Sequence, residues 1–167
     1  MIKLNRILVA TDFGEASEAA LTYGRELARS FSAQLDVLHV ADNVLTRGFG
    51  AEGYVANYPE LQRDVEEAAR RNLDAAVSDE DRKMLRARPI VITSNAPAMA
   101  IVSYAKDAKV DLIVLGTHGR GAMAHLLMGS VAERVVRSAP CPVLTVRHPE
   151  HEFVIPDEAA RHPGRTS

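Results

Sequence analysis

The chain has 167 residues, 47% of them hydrophobic and 25% charged, with a formal net charge of −2; that suffices for one domain with a substantial core and gives no reason to expect nucleic acid or an anionic membrane as a main partner. Aromatics make up 5% with no Trp, which disfavours a base-stacking platform. No apolar stretch approaches the roughly 18 residues of a membrane span, Met1-Ile2-Lys3-Leu4-Asn5-Arg6 has no signal-peptide character, and a single cysteine, Cys141, excludes an internal disulfide, so the expectation is a soluble cytoplasmic protein.

In chain order, Arg6 to Thr11 is a near-continuous apolar run, as expected of a strand buried on both faces. After Asp12-Phe13-Gly14, a helix is predicted over Ser17 to Phe31, with Ala20, Leu21, Gly24, Leu27, Ala28 and Phe31 on one face. Gln34 to Val40 reads as the second strand. Residues 42–58 are rich in Gly and Asn without a steady period and read as a loop. A helix resumes near Pro59, with Leu61, Val65, Ala68, Ala69, Leu73 and Val77 as its apolar stripe, and runs to Asp79-Glu80-Asp81 or Leu85. Pro89 to Thr93 is the third strand and 98–107 the next helix. Leu112 to Leu115 is the fourth strand, Ser130 to Ser138 the last helix, and Pro142 to Arg147 the fifth strand. Strands alternating with helices imply parallel pairing and an α/β fold. Ligands in such sheets bind beyond the carboxyl ends of the strands, where Thr11 and Asp12, Val40 and Ala41, and the segment after strand four should converge.

That segment carries the most information. Gly116 ends strand four, Gly119 follows, and Gly129-Ser130 opens a helix. Glycine lets backbone amides approach a phosphate, and a helix N-terminus supplies unpaired N–H groups and partial positive charge. The plain alternative is a tight strand-to-helix connection, with Ser130 and Glu133 matching a capping box. His118 and Arg120 could donate to phosphate. Gly119-Arg120-Gly121-Ala122-Met123-Ala124 also fits a dinucleotide fingerprint, but it falls too late in the chain and lacks the acid about 20 residues on. Asp12 reads either as a local cap or as an acceptor for an adenine amino group or ribose hydroxyl, or an indirect metal contact. His125 reads as packing or surface, and Cys141, between two prolines, as a small buried side chain. His148 and His151 have no evident third ligand, so no metal site is predicted. No hydrolytic constellation stands out, and no catalytic residue is assigned.

These residues resemble the nucleotide-binding universal stress proteins. Gly116-x2-Gly119-x9-Gly129-Ser130 is similar to their G-2x-G-9x-G(S/T) signature. Ile7 to Asp12, Leu38-His39-Val40, Asp111 to Gly116 and Cys141 to Val146 resemble further segments of the family, so that the likeness spans about residues 3–147. The resemblance implies a Rossmann-like five-stranded parallel sheet, order 3-2-1-4-5, with helices on both faces, formed by residues 1–147. It implies ATP (or AMP or ADP) bound at the strand ends, with Mg²⁺ accompanying ATP. Carried over by position, Asp12 and the backbone of Val40 would contact adenine or ribose, and Gly116 would lie against the ribose. Gly119, Gly129, Ser130 and Val131 would hold the phosphates, with His118 and Arg120 nearby. It also implies a homodimer through the last strand, Pro142 to Arg147. One departure is Asn95-Ala96-Pro97 where the family often has G-x-P; Asn tolerates a left-handed backbone, so that turn is expected to survive. The tail 148–167 holds three of the eight prolines and is expected to be loosely ordered.

Three functions follow as expectations. The first is an ATP-binding module whose occupancy orders the 42–58 and glycine segments and signals in a stress response. The second is a slow ATPase or phosphotransferase. The third is an interaction protein of the same fold that binds no nucleotide. The stress, the pathway and the downstream partner are not legible.

Overall fold

The computed structural model describes residues 1–49, 58–117 and 129–148. The elements run β1 (Arg6–Ala10), α1 (Glu15–Phe31), β2 (Gln34–Ala41), a 3₁₀ segment (Val44–Phe49), α2 (Tyr58–Ala76), α3 (Asp79–Met84), β3 (Arg88–Thr93), α4 (Pro97–Asp107), β4 (Leu112–Gly116), α5 (Ser130–Ser138) and β5 (Val143–Val146). All strands lie in one parallel sheet, ordered β3-β2-β1-β4-β5.

The unbroken apolar runs of β1, β2 and β4 follow from the layers on either side. Ile7, Val9, Leu35 and Val37 pack with Ala20, Leu21 and Ala28 of α1 and Leu73 of α2. Leu8, Leu38, Ile113 and Leu115 turn to the other face, against Ile101 and Ala105 of α4 and Ala132 and Val135 of α5. A strand covered on both faces needs apolar residues at both parities. Each such fully buried Leu, Ile or Val contributes about 1.5–3 kcal/mol. Gly24 lets α1 sit close on β1, since a Cβ there would lie 2.3 Å from Val9 Cγ2. A charge sits within the sheet: Asp36 is fully buried in β2, accepting from Tyr104 Oη (2.8 Å) and Gln34 Nε2 (2.9 Å), with Arg88 Nε at 3.3 Å.

Several local expectations change. The helix expected from Pro59 to Asp81 or Leu85 is two helices: α2 ends at Ala76, and Ser78 caps α3, its Oγ accepting the Asp81 N–H at 3.0 Å. The acidic triplet 79–81 is thus the first turn of a new helix, where negative charge suits the dipole. The inward face of α2 carries Gln62, Ala69 and Leu73, while Leu61 is exposed. Part of the expected 42–58 loop, Val44–Phe49, is a 3₁₀ helix; residues 50–57 lie outside the described residues. Asn95 is not left-handed. The residues with positive φ among those described, glycines aside, are Phe13, Ser32, Arg86 and Lys109. Asn95 instead spends its side chain on the β2 exit, accepting the Asn43 N–H at 2.9 Å and donating to the Asn43 carbonyl at 3.0 Å and to Thr46 Oγ1. Cys141 is half-buried rather than buried, and burial, with Asp111 nearby, pushes its thiol pKa up. Phe31, expected on the inner face of α1, is exposed.

Candidate nucleotide site

The carboxyl ends of β1, β2 and β4 lie side by side, and each expected contact among the described residues sits there. β1 stops at Ala10, and Thr11, Asp12 and Phe13 make a turn braced by local side-chain bonds. Thr11 Oγ1 accepts the Phe13 N–H (3.0 Å) and meets Ser17 Oγ at 3.1 Å. Asp12 Oδ1 accepts the Gly14 N–H at 3.0 Å. Ser17 Oγ also accepts from Gly14 N–H (3.1 Å) while donating to the Gly14 carbonyl (2.8 Å). Thr11 and Ser17 are buried polar residues, so this turn is built on a buried hydrogen-bond network. Asp12 therefore does cap locally, and its carboxylate stands at the strand end as well.

Phe13 has φ of 63°. A bulky side chain seldom accepts that conformation, and such outliers concentrate at functional sites. Its ring lies 4.4 Å, centroid to centroid, from the His39 ring. His39 Nδ1 is 2.8 Å from the Thr11 carbonyl oxygen. A carbonyl only accepts, so Nδ1 carries the proton.

In β2, Leu38 turns its backbone toward β1, its carbonyl accepting the Thr11 N–H at 2.9 Å. Ala41 turns toward β3, accepting the Ser94 N–H at 2.9 Å. Backbone groups alternate sides along a strand. Val40 thus presents its N–H and C=O to the β1 side, where the pairing register has already ended at Ala10↔Leu38.

Gly116, at the end of β4, owes its glycine to a neighbouring helix. A Cβ there would lie 2.7 Å from the Ala16 carbonyl carbon and 2.8 Å from Ala16 Cβ, so Gly116 lets the first turn of α1 close over β4. Thr117 donates to the Val146 carbonyl (2.8 Å) and accepts from the Gly129 N–H (2.6 Å). The chain leaving at Thr117 therefore returns beside it at Gly129, bringing the start of α5 to the end of β4. Gly129, with φ −70° and ψ 153°, is the N-cap. The expected Ser130–Glu133 capping box is not made: Ser130 is the first helical residue, and Glu133 pairs with Arg137 Nη2 at 2.9 Å. The first-turn N–H groups, of Ser130, Val131 and Ala132, have no side-chain cap among the described residues. Val131 is half-buried against the α4–α5 side of the core. His118, Gly119 and Arg120 lie outside the described residues.

The β2 side is braced by residues that sequence reasoning did not single out. Gln62 Oε1 accepts the Val44 N–H (2.8 Å), and its Nε2 donates to the Asp42 carbonyl (3.3 Å) and to Glu66 Oε1 (3.1 Å). Thr93 Oγ1 donates to the same Glu66 oxygen (2.8 Å), and this bond, ahead of that from Gln62, lowers the Glu66 pKa. The available signal was a Gln inside an otherwise apolar stripe. A broad concavity of about 990 Å³, lined by Arg6, Gln34, Arg86 and Lys109 among others, lies at the opposite, amino-terminal ends of the strands. Its arginine at position 6 is already spent on the Ala108 carbonyl (2.8 Å) and Gln34 (3.4 Å).

A doubly wound parallel sheet, with the carboxyl ends of β2, β1 and β4 side by side at its switch point, defines the class. Within it, the sequence model described as the universal stress protein family matches residues 3–147. Universal stress protein MJ0531 of Methanocaldococcus jannaschii is 32% identical over 147 residues, 88% of this chain and 84% of the relative. The chain belongs to the universal stress protein family. The solved universal stress protein UspA from Lactobacillus plantarum superposes with a TM-score of 0.69 at 26% identity, over 88% of this chain and all of that one (100%). A universal stress protein from Archaeoglobus fulgidus, solved in complex with dAMP, shares the fold with a TM-score of 0.59 at 24% identity, over 87% of this chain and 99% of that one.

Proposed function

We propose that this protein is an adenine-nucleotide-binding regulatory module of the universal stress response, working in the cytoplasm as a homodimer. One observation carries the reading: Asp12, the Val40 backbone and the side-chain-free start of α5 at Gly129 meet at neighbouring strand ends. Their chemistry suits the parts of a nucleotide. A carboxylate accepts from ribose hydroxyls or an exocyclic amine. A backbone N–H and C=O on one side offer a donor and an acceptor to a base edge. A helix N-terminus without a side-chain cap attracts phosphate. The dAMP held by the Archaeoglobus fulgidus protein is consistent with this, although at 24% identity that likeness extends to the fold alone.

In this reading Gly129, Ser130 and Val131 approach the phosphates, joined by Gly119, His118 and Arg120. ATP is the leading ligand, with AMP and ADP as competitors. Mg²⁺, a hard cation that keeps several waters, would be held chiefly by phosphate oxygens and water. The signal is occupancy: nucleotide stabilises the bound arrangement and shifts the population a partner meets.

The test is calorimetric titration of the wild type and Gly129→Val with ATP and with AMP, Mg²⁺ present. Micromolar ATP binding that is lost in the variant, with unchanged unfolding temperature, is the expected result. No binding by folded wild type would refute the module and leave an interaction protein of this fold. Phosphate release in the same samples, lost in the variant, would convert it to a slow ATPase.

A further inference from the structure

The β1–β2 ladder stops one bond early, at the point where His39 meets the Thr11 carbonyl. With Thr11 N–H already bonded to the Leu38 carbonyl (2.9 Å), the next bond of a parallel ladder would run from the Val40 N–H to the Thr11 carbonyl. That bond is not made: pairing ends at Ala10↔Leu38, and the Thr11 carbonyl accepts from His39 Nδ1 at 2.8 Å. The Phe13 ring packs beside the imidazole, 4.4 Å away between centroids. A backbone donor is thereby withheld from the sheet at the point where the candidate site begins.

We propose that His39 is a positioning residue for base recognition: by occupying the Thr11 carbonyl, its ring keeps the Val40 N–H out of the ladder and open to a nucleobase. This rests on the nucleotide reading above. An unpaired backbone N–H is costly unless it finds a partner. A purine with an acceptor at ring N1, as in adenine, satisfies it. Hypoxanthine carries a proton on N1 and would set donor against donor. His39 thus serves selectivity without touching the ligand.

The experiment uses the full chain as wild type, His39→Leu and His39→Asn. Leucine keeps the packing on Phe13 but donates nothing; Asn keeps an N–H near the Nδ1 position. Two quantities are read: amide hydrogen exchange at Val40 and Leu38 by NMR without ligand, and the ratio of ATP to ITP affinity with Mg²⁺ by calorimetry. In wild type, Val40 should exchange at least about a hundredfold faster than the ladder-bonded Leu38. In His39→Leu, Val40 should slow as the ladder closes, and the ATP preference should fall about three- to tenfold, the worth of one hydrogen bond. His39→Asn should restore both. A merely structural His39 would lower the unfolding temperature of the leucine variant and leave both readouts unmoved, which would overturn the proposal. Slow exchange at Val40 in the wild type overturns it without any variant. Absence of all nucleotide binding by the wild type would instead sink the nucleotide reading, and base recognition with it; binding with an unchanged ratio and unchanged exchange sinks only the role of His39.

Discussion

At the scale of single residues, the glycines of the strand-end segment divide by physical cause. Gly116 and Gly129 belong to the same sequence signature, yet Gly116 is required by Ala16, at 2.7 Å from where a Cβ would stand, whereas Gly129 stands at the N-cap of a helix without a side-chain cap. Their substitutions should therefore separate. Gly116→Ala forces α1 away from β4 and should cost about 1–3 kcal/mol in ligand-free protein, the usual penalty of overpacking, measured by urea unfolding. Gly129→Val should leave that stability nearly unchanged and act on nucleotide affinity. Equal stability losses in both would mean that Gly129 is also a packing residue. Spacing alone could not draw this distinction, because a glycine that admits a helix and one that admits a phosphate look alike in sequence.

At the scale of elements, α1 and α3 are locked by an ion pair between half-buried Arg25 and buried Asp81. Arg25 Nε lies 3.1 and 3.0 Å from the two Asp81 carboxylate oxygens, its Nη2 is 2.9 Å from Oδ2, and it also donates to the Ala76 carbonyl (2.7 Å). Burial pushes the Asp81 carboxyl up, but Arg25 and the Ser78 N–H (3.1 Å) outweigh it, so its pKa lies below the ordinary value. A carboxyl with a folded pKa below its unfolded one binds protons less readily when folded. Its stabilisation is full above an unfolded value of about 4 and is lost as pH falls through the lower, folded value. Asp81→Asn should thus lower stability at neutral pH by on the order of 3 kcal/mol. It should also flatten the decline of stability with acid below about pH 4. Urea unfolding of both proteins across that range checks it; parallel curves would refute the assignment. The apolar period identified the helices but joined α2 to α3. The break arises because Ser78 and Asp81 bond each other's backbones, and Asp81 does so while Arg25, distant in sequence, holds its carboxylate.

At the scale of the molecule, the order β3-β2-β1-β4-β5 leaves two edges. Pro89 lies within β3 and blunts that edge. β5 has no such block after Val143, and its side chains from Val143 to Thr145 are half-buried, so it is the natural seat of the proposed dimer. The Pro142 and Val146 carbonyls accept from Ile113 of β4 and from Thr117 just beyond it, at 3.0 and 2.8 Å, so by alternation Val143 and Thr145 turn their backbone groups outward. Thr145→Pro removes an outward N–H without cutting the β4 ladder. It should convert the dimer to monomer in light scattering with little change in circular dichroism. An undisturbed dimer would place the interface elsewhere.

The sequence by itself determined the alternation of strands and helices, since burial on both faces demands apolar residues at both parities, and it marked Asp12, Val40 and Gly129 as residues at element ends. The parallel order came from resemblance and is borne out in the sheet. Only the tertiary structure decided how those ends are used. It showed that Gly116 serves Ala16, that Gln62 and Asn95 brace the exit from β2, and that His39 bonds the Thr11 carbonyl where the β1–β2 ladder ends. Each of these depends on a contact between residues far apart in the chain. Local periodicity is blind to such contacts, because it records which way a side chain faces and not what it meets.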